Sequence, residues 1–178
     1  PPHFIEHEAV WMPGPLHGEA ARVLEIVRAF GVGFGACHTE FVMSAQGPRL
    51  IEINYRSIGD YREFLLQDTL EIALFETVLR LYLGQPLPAL QPADRAAHIR
   101  YFVASEAGRV ARAPAAFAEV GDALRLTYQS LRAVGDTIAL THSNKDYLGV
   151  LRGAGPDPDA LASAMDAASQ RLSWDIAA

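Results

Sequence analysis

The chain has 178 residues, half of them hydrophobic and a fifth charged, with a mean hydropathy of +0.08. That is core material for about one domain, or a domain with a satellite lobe, and it excludes intrinsic disorder. Fifteen basic against 21 acidic residues leave no basic track for a phosphate backbone, and the single cysteine, Cys37, excludes an internal disulfide or a multi-cysteine zinc site.

Residues 4–12 read as a short strand or extended entry ended by Pro13-Gly14-Pro15. From Leu16 to Phe30, Ala20, Val23, Leu24, Val27 and Phe30 recur at helical spacing, and Gly31 stops the helix. Two β-rich runs follow, Phe34–Met43 and Arg49–Asn54, joined by a turn over residues 44–48. A loop, Ser57–Asp60, leads into one long apolar helix, Phe64 to Leu83, expected to be buried and ended by Gly84. Residues 85–97 form a Pro-punctuated connector. Beyond it, strands are expected at Ile99–Ala104, Gly108–Arg112, Ala123–Leu131, Thr137–Thr141 and Tyr147–Arg152, divided by the Gly121-Asp122 and Gly135-Asp136 turns. A last helix is expected at Asp159–Leu172. The fold class is α+β, an antiparallel sheet with packed helices. Two domains are expected, at 1–90 and 98–178, the second a smaller, mostly β lobe with the final helix.

The hairpin carries the chemistry. If its strands pair symmetrically about Gln46, Glu40 lies opposite Glu52 and His38 opposite Asn54. Side chains alternate along a strand, so His38, Glu40, Glu52, Asn54 and Arg56 share one face. Opposed carboxylates repel unless a cation sits between them, and oxygen ligands favour Mg²⁺ or Mn²⁺ over zinc. Arg56 could hold a phosphate oxygen with its planar fork. A half-solvated strand would show similar alternation. The apolar flanks Phe41, Val42, Leu50, Ile51 and Ile53 favour a cleft wall instead.

His38-Thr39-Glu40-Phe41, followed by Leu50-Ile51-Glu52-Ile53-Asn54-Tyr55-Arg56, resembles the metal-binding end of the ATP-grasp ligases. In that family a Glu, then a Glu-x-Asn-x-Arg at this spacing, binds Mg²⁺-ATP. The resemblance covers residues 16–85 firmly. It extends more loosely over 98–178, through the Gly108-Arg109-Val110 strand and the Gly135-Asp136 turn. It implies the C-terminal part of an ATP-grasp fold and an ATP-dependent carboxylate–amine ligase, which activates a carboxylate as an acyl phosphate. Glu40, Glu52 and Asn54 would then hold Mg²⁺ or Mn²⁺, Arg56 would act on the transferring phosphoryl group, and His38 and Arg62 would bind substrate. The implied partners are ATP and a small carboxylate. A non-catalytic nucleotide- or metal-binding remnant is the alternative.

Two features depart from the family pattern. Asn-Pro-Arg followed by paired glycines is replaced by Asn54-Tyr55-Arg56-Ser57-Ile58-Gly59-Asp60-Tyr61-Arg62. The loop brings Arg62 near Arg56, suggests a polyanionic carboxylate, and is similar to ATP-grasp proteins of carboxylate siderophore assembly. Lys145 is the only lysine, so phosphate-binding lysines are expected from an earlier lobe of the same protein, and this chain alone is expected to be inactive.

The remaining signals read blandly. Gly31-Val32-Gly33-Phe34-Gly35 follows a helix and precedes a strand, the reverse of a dinucleotide-binding turn, so it reads as a cap and turn. Cys37 reads as a small core residue. His3, His7 and His17 lack a regular ligand spacing and read as exposed polar residues. His142–Asp146 is a polar loop that could lie at a cleft mouth. No apolar run approaches the roughly 20 residues of a membrane span. Pro1–His7 lacks the basic start and apolar core of a signal peptide. The chain is therefore expected to be cytoplasmic, with neither nucleic acid nor membrane as a partner.

Overall fold

The computed structural model describes residues 3–11, 17–89, 94–121 and 123–177. The Pro13-Gly14-Pro15 turn and Asp122 lie outside the described residues, as does the side chain of His17. Among the described residues the fold is α+β with antiparallel strands, in two compact units: residues 13–93, and residues 1–12 together with 94–178.

The first unit is built on a hairpin. Helix α1 (His17–Ala29) ends where Gly31, at φ 70°, donates its N–H to the Arg28 carbonyl at 2.9 Å. Strands β2 (His38–Ser44) and β3 (Gly47–Asn54) pair as a two-stranded sheet. The turn between them is two residues long, Ala45-Gln46, and the Ser44 hydroxyl braces it by donating to the Gly47 carbonyl at 2.8 Å. Gly47 is required by its φ of 99°; the Arg22 guanidinium of α1 lies over it.

The expected single helix from Phe64 to Leu83 is two: α2 (Arg62–Leu70) and α3 (Leu74–Tyr82). Glu71 takes a left-handed conformation (φ 51°) and Ala73 leaves helical geometry, so the backbone hydrogen-bond ladder breaks between them although the apolar pattern runs on. The expected burial is met in α2, at Leu65 and Thr69, and fails in α3. No residue of α3 is buried, and Leu79 and Tyr82 are more than half exposed. Periodicity registers a helix's need to cover an apolar stripe, without saying what covers it.

The second unit holds a five-stranded antiparallel sheet in the order β1-β4-β9-β7-β6, with β1 (Glu8–Trp11), β4 (Ala96–Val103), β6 (Phe117–Val120), β7 (Arg125–Ser130) and β9 (Tyr147–Gly155). Helix α4 (Pro158–Gln170) starts on Asp157, whose carboxylate accepts the Asp159 and Ala160 N–H groups, with Pro158 in the first turn. It packs Leu161, Met165 and Ala168 on Ala96, Leu126, Tyr128 and Leu151. The close approach needs Gly153 of β9, where a Cβ would come within 2.9 Å of Leu126, Leu161 and Met165. A three-stranded sheet, β10-β5-β8, uses β5 (Gly108–Arg112), β8 (Thr137–Ile138) and β10 (Asp175–Ala177) around Val110, Ile138 and Leu148. Strands β6 and β10 have no counterpart in the sequence reading; both are short and flanked by strong turn or helix signals.

Candidate metal-binding hairpin

Near the turn, β2 and β3 pair in a regular register, Ser44 with Gly47 and Phe41 with Leu50. Ile51 is then accommodated as a β-bulge, so that Glu40 faces Glu52 and His38 faces Asn54. The sequence reading arrived at the same pairs from a longer turn centred on Gln46. The two-residue turn sets the strands one residue out of that register, and the bulge restores the difference. In a ladder without it, Glu40 would face Ile51 and Glu52 would point to the opposite side.

One ligand atom each from His38, Glu40 and Glu52 lies within 4.8 Å of the others. The His38 Nε2 is 3.7 Å from Glu40 Oε1. Asn54 Nδ2 donates to Glu52 Oε1 at 2.6 Å, which fixes the carboxylate on this face. Two carboxylates, an amide and an imidazole on one half-exposed patch are a donor set that fits a divalent cation.

Arg56 is not gathered into this cluster. Its guanidinium donates to the Ser57 and Ile58 carbonyls of its own loop, at 2.9 and 2.8 Å. Arg62 is the half-buried first residue of α2. Between them the backbone turns through Gly59, Asp60 and Tyr61, all at positive φ (89°, 51° and 65°), a strained run for the two non-glycine residues. The sequence reading missed the residue that holds this loop. Glu63 is buried and accepts the Gly59 N–H at 2.7 Å. Burial pushes its carboxyl up, but hydrogen bonds from Ser57 and from the Glu63 and Gly59 amides, with the nearby Arg56 charge, bring it below the ordinary glutamate range. An acid in the first turn of the helix after a Ser-Ile-Gly loop was the available signal.

Tyr55, standing where the family pattern has proline, accepts the Gly33 N–H through its hydroxyl at 3.2 Å, and Tyr82 accepts the Ala36 N–H at 3.3 Å. The Gly31–Gly35 segment is thus a loop pinned by two tyrosines. Cys37 is exposed in the approach to β2, one residue before the strand begins, which corrects its expected place in the core.

The other signals resolve in the second unit. The His142–Asp146 loop closes on Asp146, which is 2% exposed and accepts the Thr141 N–H and hydroxyl and the His142 N–H at 2.7–3.1 Å. His3 stacks on His142 with ring centroids 4.2 Å apart, and the Asn144 side chain accepts the Glu6 N–H and donates to the Glu6 carboxylate. His98, unremarked in the sequence, is buried against Glu8 at 3.0 Å. The Gly108–Val110 strand and the Gly135-Asp136 turn meet through Gly135 N–H to the Val110 carbonyl (2.8 Å) and Val110 N–H to the Asp136 carbonyl (2.9 Å).

The fold that carries this hairpin is the ATP-grasp fold, shown by its likeness to solved structures. The comparisons with known proteins point the same way. The chain is similar to phosphoribosylglycinamide synthetase from Anaerococcus prevotii (TM-score 0.78, 11% identity, 97% of this chain and 46% of that one). It is also similar to L-amino acid ligase from Bacillus licheniformis (0.74, 15%, 99% and 46%). A third likeness is to the biotin carboxylase domain of Hydrogenobacter thermophilus 2-oxoglutarate carboxylase, solved with MgADP, ADP and bicarbonate (0.71, 13%, 96% and 39%). A Sinorhizobium fredii protein, uncharacterized protein y4rH, is 30% identical over 113 residues, 61% of this chain and 23% of its own length. The chain spans less than half the length of each of these. No family model matches it. Among the described residues, no helix is long and apolar enough to cross a membrane.

Proposed function

We propose that this chain is the C-terminal part of an ATP-dependent ligase that activates a carboxylate and couples it to an amine or hydroxyl. The observation that carries the reading is the bulged register that sets Glu40 against Glu52, with Asn54 bonded to Glu52, inside an ATP-grasp fold. In the proposed reaction a carboxylate oxygen takes the γ-phosphoryl group and ADP leaves. The amine then attacks the carbonyl carbon, phosphate departs, and the amine gives up a proton. A free carboxylate repels nucleophiles, and the mixed anhydride removes that obstacle.

Glu40 and Glu52 would hold Mg²⁺ or Mn²⁺, with Asn54 orienting Glu52 or completing the ligand set. The ion supplies neutralisation of phosphate charge. Arg56, anchored by two loop carbonyls through one terminal nitrogen, presents its remaining N–H groups to an anion. Arg62 would bind a second, non-reacting carboxylate, which makes a polycarboxylate of the siderophore-precursor kind the proposed substrate. With Lys145 as its one lysine, the chain would draw its phosphate-binding lysines from another part of the protein, and it would be inactive by itself. A cytoplasmic location goes with the use of ATP.

The test is phosphate release from ATP by the whole protein against mono-, di- and tricarboxylates with an amine present. Release should depend on a polycarboxylate and fall by roughly 10²–10³-fold in Arg56→Met. Release that survives Glu52→Gln unchanged would refute the assignment.

A further inference from the structure

We propose that His38 is a third ligand of the hairpin cation and biases the site towards Mn²⁺ over Mg²⁺. This rests on the metal role proposed for Glu40 and Glu52, and extends it from an oxygen-only set to a mixed one. The placement follows from the strand: His38 and Glu40 are two residues apart on β2 and so share a face, and the bulge at Ile51 brings Glu52 onto it.

The imidazole's surroundings leave it this task. Its side chain is 13% exposed, and its Nε2 is turned to Glu40 at 3.7 Å. Its Nδ1 is buried with no hydrogen-bond partner among the described residues. Nε2 is thus the ring atom that faces the acidic pair. Two ligands each about 2.2 Å from one ion lie about 3–4.4 Å apart, and the 4.8 Å limit on the three atoms is within a small side-chain adjustment of that range.

The chemistry sets the direction of the bias. Mg²⁺ takes oxygen ligands and keeps its waters, whereas an imidazole nitrogen suits the first-row transition ions. Replacing one oxygen donor by Nε2 thus costs Mg²⁺ more than Mn²⁺. The sequence placed His38 on this face but gave it to the substrate; the approach of its Nε2 to the acidic pair is what the fold adds.

The experiment is Mn²⁺ binding to the 178-residue chain, followed by electron paramagnetic resonance, with Mg²⁺ as competitor and no nucleotide. Mg²⁺ should displace Mn²⁺ only at about tenfold excess or more over equal competition. His38→Gln, which keeps an oxygen donor at similar reach, should bring the two ions within about threefold of each other and leave Mg²⁺ affinity within about that factor. A second readout needs no variant: Co²⁺ in the unaltered chain should give a strongly shifted, solvent-exchangeable ring N–H resonance from one histidine of the six. Both ions binding with a ratio that His38→Gln does not move, or no such resonance, overturns the ligand role of His38 while leaving the acidic pair. Failure of either ion to bind overturns both.

Discussion

Replacing Glu52 by Gln separates the charge of the acidic pair from its geometry. The variant keeps an oxygen to accept the Asn54 N–H and keeps the side chain's length, so the main loss is one negative charge facing Glu40. At 4.8 Å two like charges repel by about 1 kcal/mol in a water-like dielectric, and the pair is exposed enough for that to be the relevant limit. The screening length shortens from about 30 Å at 0.01 M salt to about 3 Å at 1 M, so salt should erase the repulsion but leave the Asn54 hydrogen bond nearly intact. A free-energy change of this size shifts the melting temperature of a chain this long by roughly 2–4 °C. The assay is thermal unfolding at pH 8 in both salts, with Glu106→Gln as the control for net charge. The advantage of Glu52→Gln over the parent should shrink by roughly 2–4 °C between low and high salt, beyond the control. Adding Mn²⁺ at tenfold over its Kd stabilises the parent by about 1.4 kcal/mol. At low salt this should put the parent above the variant. A gap that ignores both salt and Mn²⁺ would refute the argument that the two carboxylates face each other around a cation.

Deleting Ile51 should leave Mn²⁺ affinity within about threefold, because the shortened strand closes into a regular ladder that still pairs Glu40 with Glu52; loss of binding in a folded variant would show that the bulge's twist, and not the pairing, makes the site. Asp146 should govern acid stability in the second unit. Burial pushes its carboxyl up, but the bonds from Thr141, His142 and Ser143 outweigh this and hold it below the ordinary aspartate range. A depressed folded pKa stabilises fully above the unfolded value and is lost as pH falls below about 4. Asp146→Asn, which turns an amide towards those donors, should cost roughly 1–3 kcal/mol at pH 7, and less as the pH is lowered to 3. Melting curves that stay parallel from pH 3 to 7 would rule the carboxylate out.

The parts of the site legible in the sequence were those with a period. Alternation along two strands placed His38, Glu40, Glu52 and Asn54 on one face. The pairing came out correctly although the turn did not, because an even turn and an unforeseen bulge at Ile51 together equal the odd turn assumed. What escaped has no period. The break at Glu71 depends on one backbone torsion. The roles of Glu63 and Asp146 depend on where loop amides converge. Tyr55 and Tyr82 act on a glycine loop far from them in sequence. The exposure of α3 and Cys37 could not be read from residue type, since composition says how much apolar surface seeks cover and not where cover is found.

Trp11 of β1 and Ala97 of β4 are paired neighbours in one sheet although residues 12–96 lie between them. Antiparallel partners stand about 5 Å apart, the distance a two-residue turn closes. The hairpin-bearing segment is therefore a cassette spliced into what would otherwise be a plain strand-to-strand connection. It leaves and rejoins the sheet at one doorway, so its length and contents can change without altering the order or register of the five strands. Recombination at that doorway would exchange the whole hairpin-bearing segment as a single module, and the recipient sheet would need no new partner for β1.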